Sequence, residues 1–274
     1  MLGRAVAAHW RRRGDAVLAL GHAQADITDR AKLHYWAESF RPEVVINCAA
    51  FTRVDDCETE HDTAMEINGR AVAHVRAAAE SVGALLVHVS SDYVFDGRAT
   101  TPYAEDAPTG PQSAYGASKL LGEEEALHSG PERVLVVRTS WLFGPGGPNF
   151  ARTIAGALRA GKPLRVVDDQ IGRPTYTPYL ARALRDLVRH GARGIVHYGN
   201  HDAVSWHGFA TEIARLLAPG ATVEPVPTTE FPRPARRPAY SVLDVGRFEA
   251  LVGRRVESWA AGLAEYLDTE GEQA

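Results

Sequence analysis

Short apolar runs alternate along most of the chain with stretches whose apolar residues recur at helical spacing. The runs at 16–20, 44–50, 85–90, 134–139, 164–167 and 195–198 have the length of strands. Two of them, VVINCAA and LLVHVS, are apolar nearly throughout, as expected of strands covered on both faces. This alternation predicts an α/β protein in which parallel strands are joined by crossover helices. The opening stretch 2–13 reads as a helix ended by Gly14, with Val6 and Trp10 on one face and Arg11, Arg12 and Arg13 in its last turn. From Val204 onward the pattern changes. Helical stretches at 206–217 and 256–267 flank PVPTTEFPRPARRP, whose prolines exclude regular structure. The expected organisation is a dinucleotide-binding domain over 1–143 plus 176–198, with a smaller substrate lobe over 144–175 and 199–274.

Composition narrows the function classes. Apolar residues are 45% and charged residues 23% of 274, the profile of a globular chain long enough to bury a sizeable core. The net charge of -4, with basic residues scattered among acidic ones, gives no footprint for a phosphate backbone, so nucleic acid is not an expected partner. Two cysteines, Cys48 and Cys57, in a chain of this size fit free thiols in a reducing compartment. No apolar run has the length of a membrane span, and the arginines of MLGRAVAAHWRRRG follow the apolar stretch, the reverse of a secretory signal. A cytoplasmic protein is expected. No metal-ligand spacing such as HExxH or CxxC occurs among the histidines and cysteines.

The chemistry concentrates in Tyr115-Gly-Ala-Ser-Lys119, preceded by SSDYVF from Ser90. Tyr and Lys four apart lie on one helix face, and an ammonium beside a phenol favours the phenolate, lowering its pKa toward the range useful for proton transfer. The same spacing also occurs on solvated helix faces. Ser90 and Ser91 end an apolar strand, and ligands of open α/β sheets gather beyond the carboxyl ends of strands. Ser, Tyr and Lys together can hydrogen-bond a carbonyl, deliver a proton to its oxygen and hold a nicotinamide ribose. Capping and turning the chain is the other role open to the two serines.

SSDYVFDG, YGASKLLGE and RTSWLFG, in this order and spacing, resemble the extended short-chain dehydrogenases. The stretches ADITD, RPEVVINCAAFTRVDDCE, INGRAV, NFARTI, VVDDQIGRPT and FPRPARRPAYSVLD resemble the dTDP-4-dehydrorhamnose reductases in particular, and the resemblance runs from Leu2 to about Tyr266. It implies a Rossmann-type doubly wound sheet with a C-terminal substrate lobe. It also implies hydride transfer from NADPH, or NADH, to the C4 carbonyl of a dTDP-linked deoxysugar, in the synthesis of a polysaccharide precursor. Carried over by position, Tyr115 is the general acid, Lys119 tunes it and binds the nicotinamide ribose, and Ser91 polarises the carbonyl. Gly3, Asp26, Ile27, Ala49, Ala50, Thr52 and Ser90 fall on the cofactor side. Asp92, Trp141, Asn149 and Arg237 fall on the sugar-nucleotide side, with Gln170, Gly172 and Pro174 in the lobe loop. Trp141 also fits a core aromatic, Asp26 and Thr28 a turn with a helix N-cap, and Arg237 a lobe-packing role. Some family members bind Mg2+ between subunits; no ligands for it are assignable here, and the state is monomer or homodimer.

One part of the family pattern is missing. Only Met1-Leu2-Gly3 stands where the glycine-rich turn is expected, Gly3 being its last glycine, and the first strand is absent. That strand lies mid-sheet in the 3-2-1-4-5-6 order, so the chain as it stands is expected to fold poorly alone, with a natural start upstream of Met1. Leu20-Gly21-His22 carries neither the acid that selects NAD nor an arginine for a 2′-phosphate, which leans toward NADPH. Two alternatives stand beside the reductase: a reductase or epimerase of another nucleotide-linked 4-keto sugar, and a non-catalytic subunit like the regulatory subunit of methionine adenosyltransferase. Retention of Ser91, Tyr115 and Lys119 together argues against the last.

Overall fold

A computed structural model of the protein describes residues 1–271. Its central sheet holds β1 (Val44–Asn47), β2 (Leu85–Ser91) and β3 (Val134–Thr139), then a later strand over Gly194–His197, all parallel and in that spatial order. Both faces are covered, which is why the runs read as continuously apolar. Leu85, Val87, Leu135 and Val137 point into one layer with Leu2, Val6 and Trp10 of α1 (Leu2–Arg12). Leu86, Val134 and Val136 point into the other, with Val72 and Val75 from a helix over Ala71–Ser81. Each such buried side chain contributes roughly 1.5–3 kcal/mol. The stretch 16–20 corrects the expectation: it forms no strand, because no neighbour among the described residues offers it a ladder, and the Val17 carbonyl accepts instead from the Arg11 guanidinium at 3.0 Å.

The helices that follow are α2 (Arg30–Phe40), the short α3 (Asp56–Thr59) and α4 (His61–Ala64), α5 (Ala71–Ser81) and α6 (Ala114–Leu127). The cap of α2 is Asp29, whose carboxylate accepts from the Lys32 N–H at 3.0 Å, rather than Asp26 or Thr28. Between α4 and α5 the chain opens into a π-helix over Met65–Arg70.

Beyond β3 the chain forms β4 (Leu142–Phe143), α7 (Phe150–Arg159), β5 (Leu164–Val167), β6 (Ile171–Gly172) and β7 (Thr175–Tyr176). It re-enters the central layers through α8 (Thr177–Arg189) and the sheet strand β8 (Gly194–His197). It then leaves through β9 (Val204–Ser205), α9 (Trp206–Leu217) and β10 (Val223–Val226), ending in α10 (Gly246–Val252) and α11 (Trp259–Gly271). The expected strand 164–167 is real but does not join the central sheet; it pairs with β10 in a parallel two-stranded ribbon. Pro225 sits within that ribbon, where one lost donor is tolerated. A separate cluster of Phe143, Ile154, Tyr176, Phe209, Ile213 and Leu263 forms the core of this second half. Residues 272–274 of the expected lobe lie outside the described residues.

Most of the proline-rich segment is irregular, as expected, yet the chain leading out of it is pinned as a strap. Tyr240 donates to the Gly97 carbonyl at 3.2 Å, Ser241 to Ile171 at 2.8 Å, and Tyr103 exchanges backbone bonds with Val242 and Asp244 at 2.8 Å each. It therefore stitches loops of the central sheet to the β6 region.

Candidate active site

Ser90 and Ser91 close β2, and Ser91 stands in register with Thr139 at the end of β3. The helix α6 is aimed at this point by its N-terminus. The Ser113 hydroxyl accepts from the Gly116 N–H at 3.2 Å, and the Glu58 carboxylate accepts from the Ala114 N–H at 2.8 Å. Gly116 lets the helix come this close: a Cβ there would lie 2.3 Å from the Tyr93 carbonyl oxygen. Tyr115 consequently meets Tyr93 edge to face, ring centroids 5.4 Å apart. One turn on, Lys119 is 2% exposed and its Nζ donates to the Val89 carbonyl of β2 at 2.8 Å. Ser91, Tyr115 and Lys119 are thus gathered at one strand end.

The electrostatics differ from the sequence expectation. Burial pushes the Tyr115 phenol up from its ordinary value, the Asp92 carboxylate adds to this, and the Ser91 hydroxyl partly offsets it. Lys119 does not lower it: in this structure its ammonium is spent on Val89, and burial brings its own pKa down to about 8 against the opposing pull of Glu123. Tyr115 is therefore a phenol carrying its proton at neutral pH, and Lys119 remains a cation. Asp92 is 2% exposed and burial raises it to about 6, although it accepts from Ser91 Oγ at 2.9 Å. Behind Lys119, Glu123 and Arg138 form a buried bidentate pair at 2.9 and 2.7 Å that locks α6 onto β3.

The residues expected to meet a cofactor lie at the start of α1, in the stretch before α2, in the loop after β1 and at the end of β2. Gly3, in the first turn of α1, lies near the end of β1, a Cβ built on it standing 3.7 Å from the Cys48 Cβ, and a helix N-terminus is suited to an anion. Ala49 and Thr52 are exposed and Ala50 half-buried in the loop after β1. Ser90 Oγ and Thr139 Oγ1 are buried with no hydrogen-bond partner among the described residues. Two orphaned hydroxyls, a small-residue loop and a helix N-terminus fit a nicotinamide dinucleotide. Asp26 is held below the usual carboxylate range by the Thr28 N–H and hydroxyl, at 2.9 and 2.8 Å. The Ile27 side chain packs toward the α5 layer.

The sugar-side candidates divide. Asp92 joins the cluster. Trp141 follows β3 directly, half-buried, its ring stacked on Trp206. Asn149 caps α7 by accepting from the Arg152 N–H at 3.0 Å, while its amide nitrogen donates to the Gly144 and Gly147 carbonyls at 3.0 and 3.2 Å. Both ends of that amide are engaged within the protein. Arg237 pairs bidentately with Asp55 at 2.6 and 2.9 Å, tying the strap to the loop after β1. Gln170 donates to the Thr228 hydroxyl at 2.8 Å. Pro174 precedes β7, and Gly172 closes β6 against the Trp141 ring.

Sequence reasoning missed the residues that hold this arrangement. Asn68, buried in the π-helix, accepts from the Phe51 N–H at 2.7 Å and donates to Phe51 O and Ser118 Oγ at 3.0 Å each. It fastens the loop after β1 to the helix of Tyr115. A π-helix is frequent at functional sites but has no sequence signature. Glu58, Asp55, Glu123 and Trp206 act across long chain separations and were equally invisible, whereas Asn149 directly before a helical stretch was a readable cap signal. Among the described residues no three His, Cys, Asp or Glu side chains converge as a metal cage, and no helix is long and apolar enough to cross a membrane.

The model of the RmlD substrate binding domain family matches residues 1–271. A Streptomyces griseus protein named dTDP-4-dehydrorhamnose reductase is 42% identical over 271 residues, spanning 97% of this chain and 89% of that one. A Streptomyces antibioticus protein named probable dTDP-4,6-dihydroxy-2-methyloxan-3-one 4-ketoreductase is 41% identical, over 97% of this chain and 90% of its own. The crystal structure of the Bacillus anthracis dTDP-4-dehydrorhamnose reductase in complex with NADP superposes with a TM-score of 0.93 at 33% identity, covering 98% of this chain and 95% of that one.

Proposed function

The chain belongs to the RmlD substrate binding domain family, and from that membership we propose that it is a reductase converting dTDP-4-dehydro-L-rhamnose to dTDP-L-rhamnose, with NADPH as donor and NADH as a substitute. The observation that carries this is the meeting of Ser91, a protonated Tyr115 and cationic Lys119 at the end of β2, beside orphaned hydroxyls suited to the cofactor. A binding subunit has no use for that combination.

The bound nicotinamide supplies the hydride that adds to C4. Tyr115 donates its phenolic proton to the C4 oxygen as negative charge develops there, and the Ser91 hydroxyl, which donates to Asp92 in the free protein, turns its proton to the same oxygen. Lys119, four residues along α6, stays a cation held on the Val89 carbonyl, and its remaining N–H groups would be the ones to meet the ribose hydroxyls of the cofactor. Gly3, Ala49, Ala50, Thr52 and Ser90 hold the cofactor, with Asp26 and Ile27 at its adenine end. Asp92 and Trp141 hold the sugar. Asn149 and Arg237 are assigned to positioning the 144–147 loop and the strap, given their internal partners. The free thiols Cys48 and Cys57 agree with a cytoplasmic setting.

The near-equal likeness to a relative named for a different 4-keto sugar supports a second reading, reduction of another dTDP-linked 4-keto-6-deoxyhexose by the same residues. Steady-state NADPH oxidation with dTDP-4-dehydro-L-rhamnose and with dTDP-4-keto-6-deoxy-D-glucose separates them. A kcat/KM at least tenfold higher for the former supports the first reading, the reverse order supports the second, and no oxidation with either refutes both.

A further inference from the structure

Trp141 is held in an unusual way. Its φ is +46°, in the left-handed region that costs a bulky L-residue roughly 1–2 kcal/mol. The backbone around it leaves little choice: the Thr175 N–H donates to the Trp141 carbonyl at 3.1 Å, and the Ser140 hydroxyl donates to the Arg173 carbonyl at 2.7 Å. Two neighbours then confine the indole. It lies parallel to the Trp206 ring, centroids 3.5 Å apart and planes 5° from coincident. It also lies against Gly172, where a Cβ would come within 2.5 Å of its Cε2 and 2.7 Å of its Nε1.

The two confining residues come from one small device. β6 and β9 pair antiparallel with Gly172 opposite Val204, and Trp206 begins α9 immediately after β9. The Ser205 hydroxyl caps that helix, accepting from the Gly208 N–H at 2.9 Å, which fixes the direction of its first turn. Trp206 in turn packs on the buried cluster of the second half and meets Phe150 at 4.5 Å. The stack therefore connects a rigid core to a side chain two residues beyond Thr139, the register partner of Ser91.

We propose that Trp206 is a positioning residue for the sugar-binding face: by stacking on Trp141, with Gly172 on the ring's other contact, it sets where that indole meets the deoxyhexose. Strained backbone persists at functional sites when its surroundings over-determine it, and here stack, glycine contact and two hydrogen bonds all fix one side chain. A tryptophan serving only as filler would not need a left-handed backbone, a glycine clamp and a parallel partner together. The inference rests on the proposed function in one respect, that Trp141 faces the sugar.

The test is binding as well as turnover. Two stacked indoles couple excitonically through the twist between their in-plane transition dipoles, and the difference circular dichroism spectrum of wild type minus Trp206→Ala should carry that far-ultraviolet couplet. Titration with dTDP-L-rhamnose should perturb the wild-type couplet, and dTDP alone should not. By calorimetry Trp206→Ala should bind dTDP-L-rhamnose about tenfold more weakly, the size expected for one aromatic pair, with dTDP and NADPH affinities within twofold. In turnover, KM for the keto sugar should rise about as much, and more than kcat changes. Trp206→Phe should recover most of the loss. Gly172→Ala, which presses on the indole from the other contact, should give the same sugar-selective loss with the couplet altered but present. Wild-type-like binding in Trp206→Ala, equal weakening of dTDP, NADPH and the sugar nucleotide, or a couplet indifferent to dTDP-L-rhamnose would each overturn the proposal. Absence of turnover in wild type would remove the proposed function while leaving the binding comparison to decide this point.

Discussion

Replacing Gly116 with alanine places a methyl 2.3 Å from the Tyr93 carbonyl oxygen and 3.0 Å from Pro111 Cβ. Carbon and oxygen normally approach no closer than about 3.3 Å, so something must yield by roughly 1 Å. Tyr93 is half-buried against Tyr115, and Asp92 beside it is almost fully buried, so the loop has little room. The part that gives is the first turn of α6, which carries Tyr115. Overpacking of this kind costs about 1–3 kcal/mol of stability, and a displacement of about 1 Å at a proton donor costs about a hundredfold in rate. Gly116→Ala should therefore lower kcat about a hundredfold while Tm falls by roughly 2–4 °C for each kcal/mol. Gly156→Ala in α7 is the control: nothing lies within 4 Å of its Cβ position, so it should raise stability by about 0.5–1 kcal/mol and leave kcat alone. Steady-state kinetics beside thermal unfolding decides. A Gly116→Ala enzyme within twofold of wild-type kcat would refute the claim that this close approach sets the donor's position.

Other outcomes follow from the same geometry. Asp92 has a folded pKa of about 6, above its unfolded value, so the native state binds the extra proton between about pH 4 and 6 and stability from this group is lost as pH rises through that window. Relative to Asp92→Asn, wild type should lose on the order of 3 kcal/mol between pH 4 and pH 7; a pH-independent difference in denaturant unfolding would contradict this. Because burial lowers Lys119 to about 8, its charge is lost as pH rises through that value, and kcat should fall in that limb. A rate flat to pH 9.5 would separate Lys119 from the chemistry. Arg237→Ala leaves the Asp55 carboxylate without its bidentate partner and should cost about 1–3 kcal/mol, with Asp55→Asn adding little more in a double-mutant cycle; additive losses would mean that the pair does not hold the strap.

The central sheet was legible because β2 and β3 are covered on both faces, which writes an uninterrupted apolar run into the sequence. A strand also needs a neighbour, and nothing in residues 16–20 or 164–167 says where one will be; the first stretch stays unpaired and the second joins β10. The Tyr115–Lys119 spacing put two candidate site residues on one helix, and both lie on α6. Their ionisation did not follow, since it depends on Val89, Asp92 and Glu123 arriving from β2, its following turn and the next turn of α6. Asn68, Trp206 and Asp55 were hidden for a similar reason: each acts on a residue 17 to 182 positions away, through a contact that exists only after folding.

Tyr115→Phe tests the account most directly, by single-turnover NADPH oxidation with dTDP-4-dehydro-L-rhamnose alongside calorimetric binding of dTDP-L-rhamnose. Removing the hydroxyl should slow turnover by about 10²–10⁴-fold while binding stays within threefold of wild type. Turnover within tenfold of wild type, with binding intact, would contradict the assignment of Tyr115 as the proton donor and with it the chemistry proposed for this site.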